Sequence, residues 1–126
     1  MDIKDWWFNI NTLKLAVFIS GRGSNLKAII HSIKSKQINA SIEIVISNNP
    51  DAQGLDLASN ESISTAVFNP KTFSSNEDYE LAIHDKLSEY SIDYIVLAGY
   101  MKIIGPTLIS SYPNKIINIH PSLLPS

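Results

Sequence analysis

Between Leu15 and Ile30 the chain reads LAVFISGRGSNLKAII: an apolar run, two glycines flanking an arginine, then apolar residues at helical spacing. A strand must therefore turn directly into a helix, and Gly21 and Gly23 supply backbone conformations there that a Cβ penalises. Ser24 or Asn25 is expected to cap the helix. The free N–H groups of such a helix start, with about half a positive charge from the aligned peptide dipoles, suit an anionic group such as a phosphate. Two familiar phosphate readers are excluded. The dinucleotide fingerprint needs a third glycine where this chain has Leu26, and the nucleoside-triphosphate loop needs Gly-Lys followed by Ser or Thr, which is absent. A single phosphate suits the loop better than a pyrophosphate. Arg22, the only arginine in the sequence, sits in the turn, where it serves either a ligand or solubility.

Downstream the same alternation repeats. After a strand at Leu13 to Ile19 and a helix from about Asn25 to Lys36, further strands are expected at Ser41 to Ile46, Ile63 to Phe68, Asp93 to Ala98 and Lys115 to Ile119. Between them fall a short helix near Ala52 to Asn60, an amphipathic helix capped by Ser75 or Asn76, and a short helix at Pro106 to Ser111. The amphipathic helix carries Tyr79, Ile83, Leu87 and Tyr90 on one stripe. Strands alternating with helices predict an α/β fold, a Rossmann-like open parallel sheet with helices on both faces. Ligands of such sheets lie beyond the carboxyl ends of the strands, where strand order reverses. GRGSN, GYMKII and NIHPSLLP all fall at strand carboxyl ends. If the first and fourth strands are neighbours, the three meet in one cleft.

The bulk properties narrow the possibilities. A length of 126 residues is that of one modest core. The net charge is -2 and the lysines are scattered, which argues against a nucleic-acid partner. Without cysteine there is no disulfide framework or thiolate metal site, and His31, His84 and His120 are too far apart for a local metal motif, so no metal is expected. The longest apolar run, Tyr94 to Ile104, is broken by Lys102 and too short for a bilayer, and the start lacks a signal-peptide pattern. The expectation is a soluble cytoplasmic protein without a membrane partner. Residues 1–12 read as an N-terminal extension whose Trp6, Trp7 and Phe8 must pack somewhere, and residues 13–126 as the domain. His31 and His84 fall off the apolar stripes and read as surface residues.

Asn118 and His120 are two apart on the last strand and so point to one side. An amide beside an imidazole suits acyl transfer: the amide stabilises oxygen charge in a tetrahedral intermediate and the histidine moves a proton. The alternative is a hydrogen-bonded turn at a strand end. Met101, Ile103 and Ile104 offer either an adaptable apolar wall for a flat ring or ordinary core.

Together FISGRGSNL, LAGYMKII and NIHPSLLP resemble the phosphoribosylglycinamide formyltransferase family, over nearly all of Leu13 to Pro125. The resemblance implies the N-terminal, nucleotide-binding domain of an enzyme of purine biosynthesis, which transfers a formyl group from 10-formyltetrahydrofolate, a consumed co-substrate, to the amine of glycinamide ribonucleotide. It assigns Gly23, Ser24 and Asn25 to the substrate phosphate and Met101, Lys102, Ile103 and Ile104 to the folate. Asn118 would take the formyl oxygen beside the folate, and His120 would be the catalytic histidine. Two departures stand out. Asn76 occupies a place where the family usually has an arginine near the folate, and the sequence ends before the family's aspartate that orients the histidine. The expectation is therefore a chain lacking its C-terminal part, or completed by a second copy, and weak in catalysis alone. A deformylase, a methionyl-tRNA formyltransferase and a non-catalytic ribonucleotide-binding module are the other readings.

Overall fold

The computed structural model describes residues 12–119. Five strands alternate with helices: β1 (Leu13–Ile19), α1 (Ser24–Lys34), β2 (Ala40–Ser47), α2 (Gly54–Asn60), β3 (Ser64–Val67), α3 (Asn76–Leu87), β4 (Tyr94–Leu97), α4 (Pro106–Ser111) and β5 (Ile116–Asn118), with one 3-10 turn at Pro70–Thr72 between β3 and α3. The strands form one parallel sheet in the order β3-β2-β1-β4-β5. The Rossmann-like α/β expectation holds, and the order reverses between β1 and β4. Residues 1–11, His120 and the rest of NIHPSLLP lie outside the described residues.

The period of two along β1 builds both halves of the core. Leu15, Val17 and Ile19 face one way, onto Leu26 and Ile29 of α1 and Ala58 of α2. Ala16 and Phe18 face the other, onto Tyr79, Ile83 and Leu87 of α3 and Leu108 of α4. Helices thus cover both faces of β1, which explains its apolar, buried run from Leu15 to Ile19. At the far side β5 is an edge strand with Ile117 exposed. Leu13, Tyr94, Val96, Ile117 and Ile119 line an open apolar groove of about 650 Å³ beside it.

Most element ends fall within two residues of expectation, but the residue that caps α1 is not the expected one. Its N-cap is Gly23, in the left-handed region at φ 83°, ψ 24°, and no side chain caps the first turn. Neither Ser24 nor Asn25 performs that role, because the turn needs a glycine at the cap position and both residues fall inside the helix. At α3 the expectation holds: Ser75 is the N-cap, and its Oγ accepts from Asp78 N at 3.0 Å. The apolar stripe of α3 is buried at Tyr79, Ile83 and Leu87.

Candidate active site

Three loops leave the sheet at the carboxyl ends of β1, β2 and β4, on either side of the reversal. The loop after β1 is shaped by two glycines that touch. A Cβ on Gly23 would lie 2.8 Å from Gly54 Cα, and one on Gly54 would lie 2.5 Å from Ile19 Cδ1 and 3.2 Å from Gly23 Cα. Gly54 N–H donates to the Gly21 carbonyl at 3.0 Å, fastening the start of α2 beneath the turn. Gly23 carries no capping side chain, so among the described residues no side chain caps the N–H groups of the first turn of α1, as an anion site at a helix start requires. Ser24 is exposed and Asn25 half-buried. Asn25 leans across the reversal: its Nδ2 lies 3.8 Å from where a Cβ of Gly99 would stand. Arg22 is exposed.

After β4 the chain turns at Gly99, also left-handed at φ 71°. Tyr100 then returns to the core, its ring edge-on to Phe18 at 5.3 Å and its hydroxyl 2.7 Å from the Tyr79 hydroxyl. Burial raises the Tyr100 pKa above the usual phenol value of 10.0, and the hydrogen bond with Tyr79 and the nearby Glu80 add to the rise. Tyr79 is also raised, chiefly by burial. Beyond Tyr100 the chain swings outward, leaving the Met101 and Ile103 side chains 83% and 89% exposed. Lys102 Nζ donates to Asn76 Oδ1 at 2.6 Å and stands 5.1 Å from the centroid of the Tyr79 ring. At the end of this stretch the buried carboxylate of Glu80 accepts from Gly105 N at 2.6 Å and Leu108 N at 3.1 Å, capping α4 from the neighbouring helix.

Met101, Lys102, Ile103 and Ile104 line a cavity of about 530 Å³, closed on the other side by Tyr112 and by Asn118 of β5. The structure thus brings Asn118 to the same cavity as the four residues after β4, and Asn25 to the edge of the turn at Gly99. His120 lies outside the described residues. Neither of the other described histidines lines the cavity: His31 is exposed, and His84, half-buried, lies 4.0 Å from Asp85 with its ring 6.4 Å from that of Tyr112. Among the described residues no group of three or more His, Cys, Asp or Glu is placed to hold a metal, and no helix is long and apolar enough to cross a membrane.

Sequence reasoning missed Ser20, Gly54 and Glu80. Gly54 stands at the end of the turn-forming run SNNPDAQG, and that run was its only visible mark. Nothing local distinguished Glu80 from the other acidic residues of α3.

Strand order, a glycine turn at the reversal and a cavity beyond the strand ends place the molecule in the Rossmann-like α/β class of ligand-binding sheets. Within that class the chain belongs to the formyl transferase family, whose sequence profile matches residues 13–126. It is 51% identical over 112 residues to the phosphoribosylglycinamide formyltransferase of Haemophilus influenzae, a match covering 89% of this chain and 53% of that protein. It is 43% identical over 119 residues to the human trifunctional purine biosynthetic protein adenosine-3, covering 94% of this chain and 12% of that protein. The glycinamide ribonucleotide transformylase 1 structure from Geobacillus kaustophilus superposes with a TM-score of 0.84 at 42% identity, over 92% of this chain and 62% of that one. The chain spans about half the length of the single-activity bacterial formyltransferases that it matches.

Proposed function

We propose that this chain carries the phosphate-binding and folate-facing half of a glycinamide ribonucleotide formyltransferase of purine biosynthesis, acting in the cytoplasm. The observation that carries the reading is the shared cavity: Asn118 and the Met101 to Ile104 wall face one space, beside a glycine turn whose helix start is uncapped. Gly23, Ser24 and Asn25 hold the phosphate of glycinamide ribonucleotide through backbone N–H groups. Met101, Ile103 and Ile104 give an apolar surface to the folate rings of 10-formyltetrahydrofolate, and Lys102 adds positive charge at the rim. The exposure of Met101 and Ile103 suits side chains that gain contacts when a flat ligand arrives.

In the reaction the substrate amine attacks the formyl carbon, forming a C–N bond and pushing electrons onto the formyl oxygen. Asn118 donates an amide hydrogen bond to that oxygen, worth on the order of 3 kcal/mol to the transition state. The bond from the formyl carbon to the folate nitrogen then breaks, and the proton lost by the amine ends on that nitrogen. His120 is assigned the proton movement. The products are formylated ribonucleotide and tetrahydrofolate.

Calorimetry of the chain with glycinamide ribonucleotide tests the acceptor half: binding is expected, and Gly23→Val is expected to abolish it. Equal binding by the variant would remove the phosphate from this loop. Formyl transfer, followed by tetrahydrofolate release, tests the chemistry. Any turnover is expected to fall at least a hundredfold in Asn118→Ala, a loss consistent with about 3 kcal/mol, and unchanged turnover would overturn the assignment.

A further inference from the structure

One hydroxyl joins three loops at the strand ends. Ser20, the residue after β1, donates its Oγ proton to Asn48 Oδ1 at 2.6 Å and accepts from Met101 N at 2.8 Å on the same oxygen. Its carbonyl accepts from Asn49 Nδ2 at 3.3 Å. A serine hydroxyl offers one proton and two lone pairs, so the donor and one acceptor site are both in use. The partners belong to the loops after β2 and β4, and Ser20 itself is joined by peptide bonds to the glycine turn. Ala98 N makes the last sheet bond of the β4 exit, to Phe18 O at 2.9 Å, and Gly105 N is next held by Glu80. Among the described residues, the backbone between those two points has one hydrogen bond to the rest of the molecule, that from Met101 to Ser20. The backbone of the wall is a span anchored at both ends and pinned once in between, while the Tyr100 and Lys102 side chains reach Tyr79 and Asn76.

We propose that Ser20 is a positioning residue that sets the wall at Met101 to Ile104 against the phosphate loop. It touches neither substrate in this assignment; it acts by fixing the Met101 backbone, and through it the surface offered to the folate. The inference rests on the proposed function for the identity of the ligands, but not for the mechanical role. The glycine turn has its own fastening, Gly54 N to Gly21 O, so loss of the Ser20 hydroxyl reaches the folate side and leaves the phosphate side in place.

The test compares the wild-type chain with Ser20→Ala and Ser20→Thr, which keeps a hydroxyl, after thermal unfolding has verified that each folds. Amide hydrogen exchange read by NMR is expected to speed up about tenfold at Met101 in Ser20→Ala, as loss of one hydrogen bond implies, and less than threefold in Ser20→Thr. Protection at Ala98 is expected to stay unchanged. Met101 equally protected in Ser20→Ala, or Met101 and Ala98 losing protection together, overturns the proposal. In titrations, Ser20→Ala is expected to weaken 5-formyltetrahydrofolate, a stable formyl-folate, about tenfold, and glycinamide ribonucleotide less than twofold. Equal weakening of both overturns it. If the wild-type chain binds neither ligand, the proposed function fails while the exchange measurement still decides the role of Ser20.

Discussion

At the end of β1 the backbone turns left-handed at Gly23, and at the end of β4 it turns left-handed at Gly99. The two turns are neighbours across the reversal, yet the segments that they lead into are held differently. A Cβ on Gly23 would run into the backbone of Gly54, whereas the same addition at Gly99 meets, among the described residues, Asn25 Nδ2 alone at 3.8 Å. The first loop is fixed by backbone against backbone and leads straight into the buried Leu26 of α1. The second leads into an exposed span that depends on hydrogen bonds donated by its backbone to distant side chains, Ser20 and Glu80. The difference matches what each would hold: a phosphate is small and has fixed geometry, while a folate is long, flat and varied along its length. On the proposed assignment a rigid backbone nest would suit the first, and an adjustable wall the second.

The largest expected effect breaks the rigid side. Gly23→Ala places a Cβ at φ 83° and 2.8 Å from Gly54 Cα. Left-handed strain and backbone overlap together should cost about 2 to 4 kcal/mol, read as a lowered urea midpoint. A variant as stable as wild type would mean that the loop relaxes as easily as the wall, and the contrast between the two would be lost. Next in size is the far anchor of the wall. Glu80→Ala leaves the N–H groups of Gly105 and Leu108 without their acceptor in a buried place, a loss of about 2 to 3 kcal/mol. Glu80→Gln retains one acceptor oxygen and should lose about half of that. Faster amide exchange is expected at Gly105 and Leu108, with the glycine loop unaffected.

The two regions were also unequally legible in the sequence. A glycine requirement is local: GRGSN between an apolar run and a helical stripe announces a sharp turn before any tertiary contact is known. Pro106 likewise marked the start of α4, and the apolar run in β1 marked a buried strand. The cap of α1 was misread because Ser and Asn are favoured caps in general, and only the left-handed conformation of Gly23 shows that the glycine holds that position. The wall was legible as composition but not as a structure. Its pins come from Ser20, 81 positions from Met101, and from Glu80, 25 positions from Gly105. Serine and glutamate at those places have no periodic or turn signature, and hydrogen bonds between distant segments leave none in a single sequence.

A smaller effect lies behind the wall, where Tyr79 and Tyr100 share a hydrogen bond of 2.7 Å. Both pKa values are raised, mainly by burial, from 10.0. The folded chain therefore keeps these protons more tightly than the unfolded chain does. That contribution to stability is complete below pH 10 and is lost as pH climbs through the higher folded-state values. Unfolding midpoints should fall from about pH 10 upward, with three of the phenols, Tyr79, Tyr100 and the burial-raised Tyr112, ionising late in an absorbance titration. Tyr100→Phe removes the shared hydrogen bond at a loss of about 1 kcal/mol and should shrink the alkaline effect. An unaltered alkaline profile in that variant would show that the pair does not brace the start of the wall.

The smallest expected effect separates the tether of the wall from its charge. Lys102 reaches Asn76 across 2.6 Å, on the outer side of the Tyr79 ring. Asn76→Ala removes the acceptor from an exposed lysine, which should change stability by less than about 0.5 kcal/mol because water replaces the lost bond. Asn76→Asp keeps the acceptor and strengthens it with charge, while adding a negative group beside the cavity. If Lys102 serves by its position, the aspartate variant binds a formyl-folate at least as well as wild type and the alanine variant binds it about twofold worse, the modest loss expected for an exposed pair. If it serves as a free positive charge, the order inverts, since the aspartate neutralises the lysine that the alanine releases. Either way the phosphate affinity should be untouched, because the nest after β1 owes nothing to Asn76; a change there would join the two regions electrostatically.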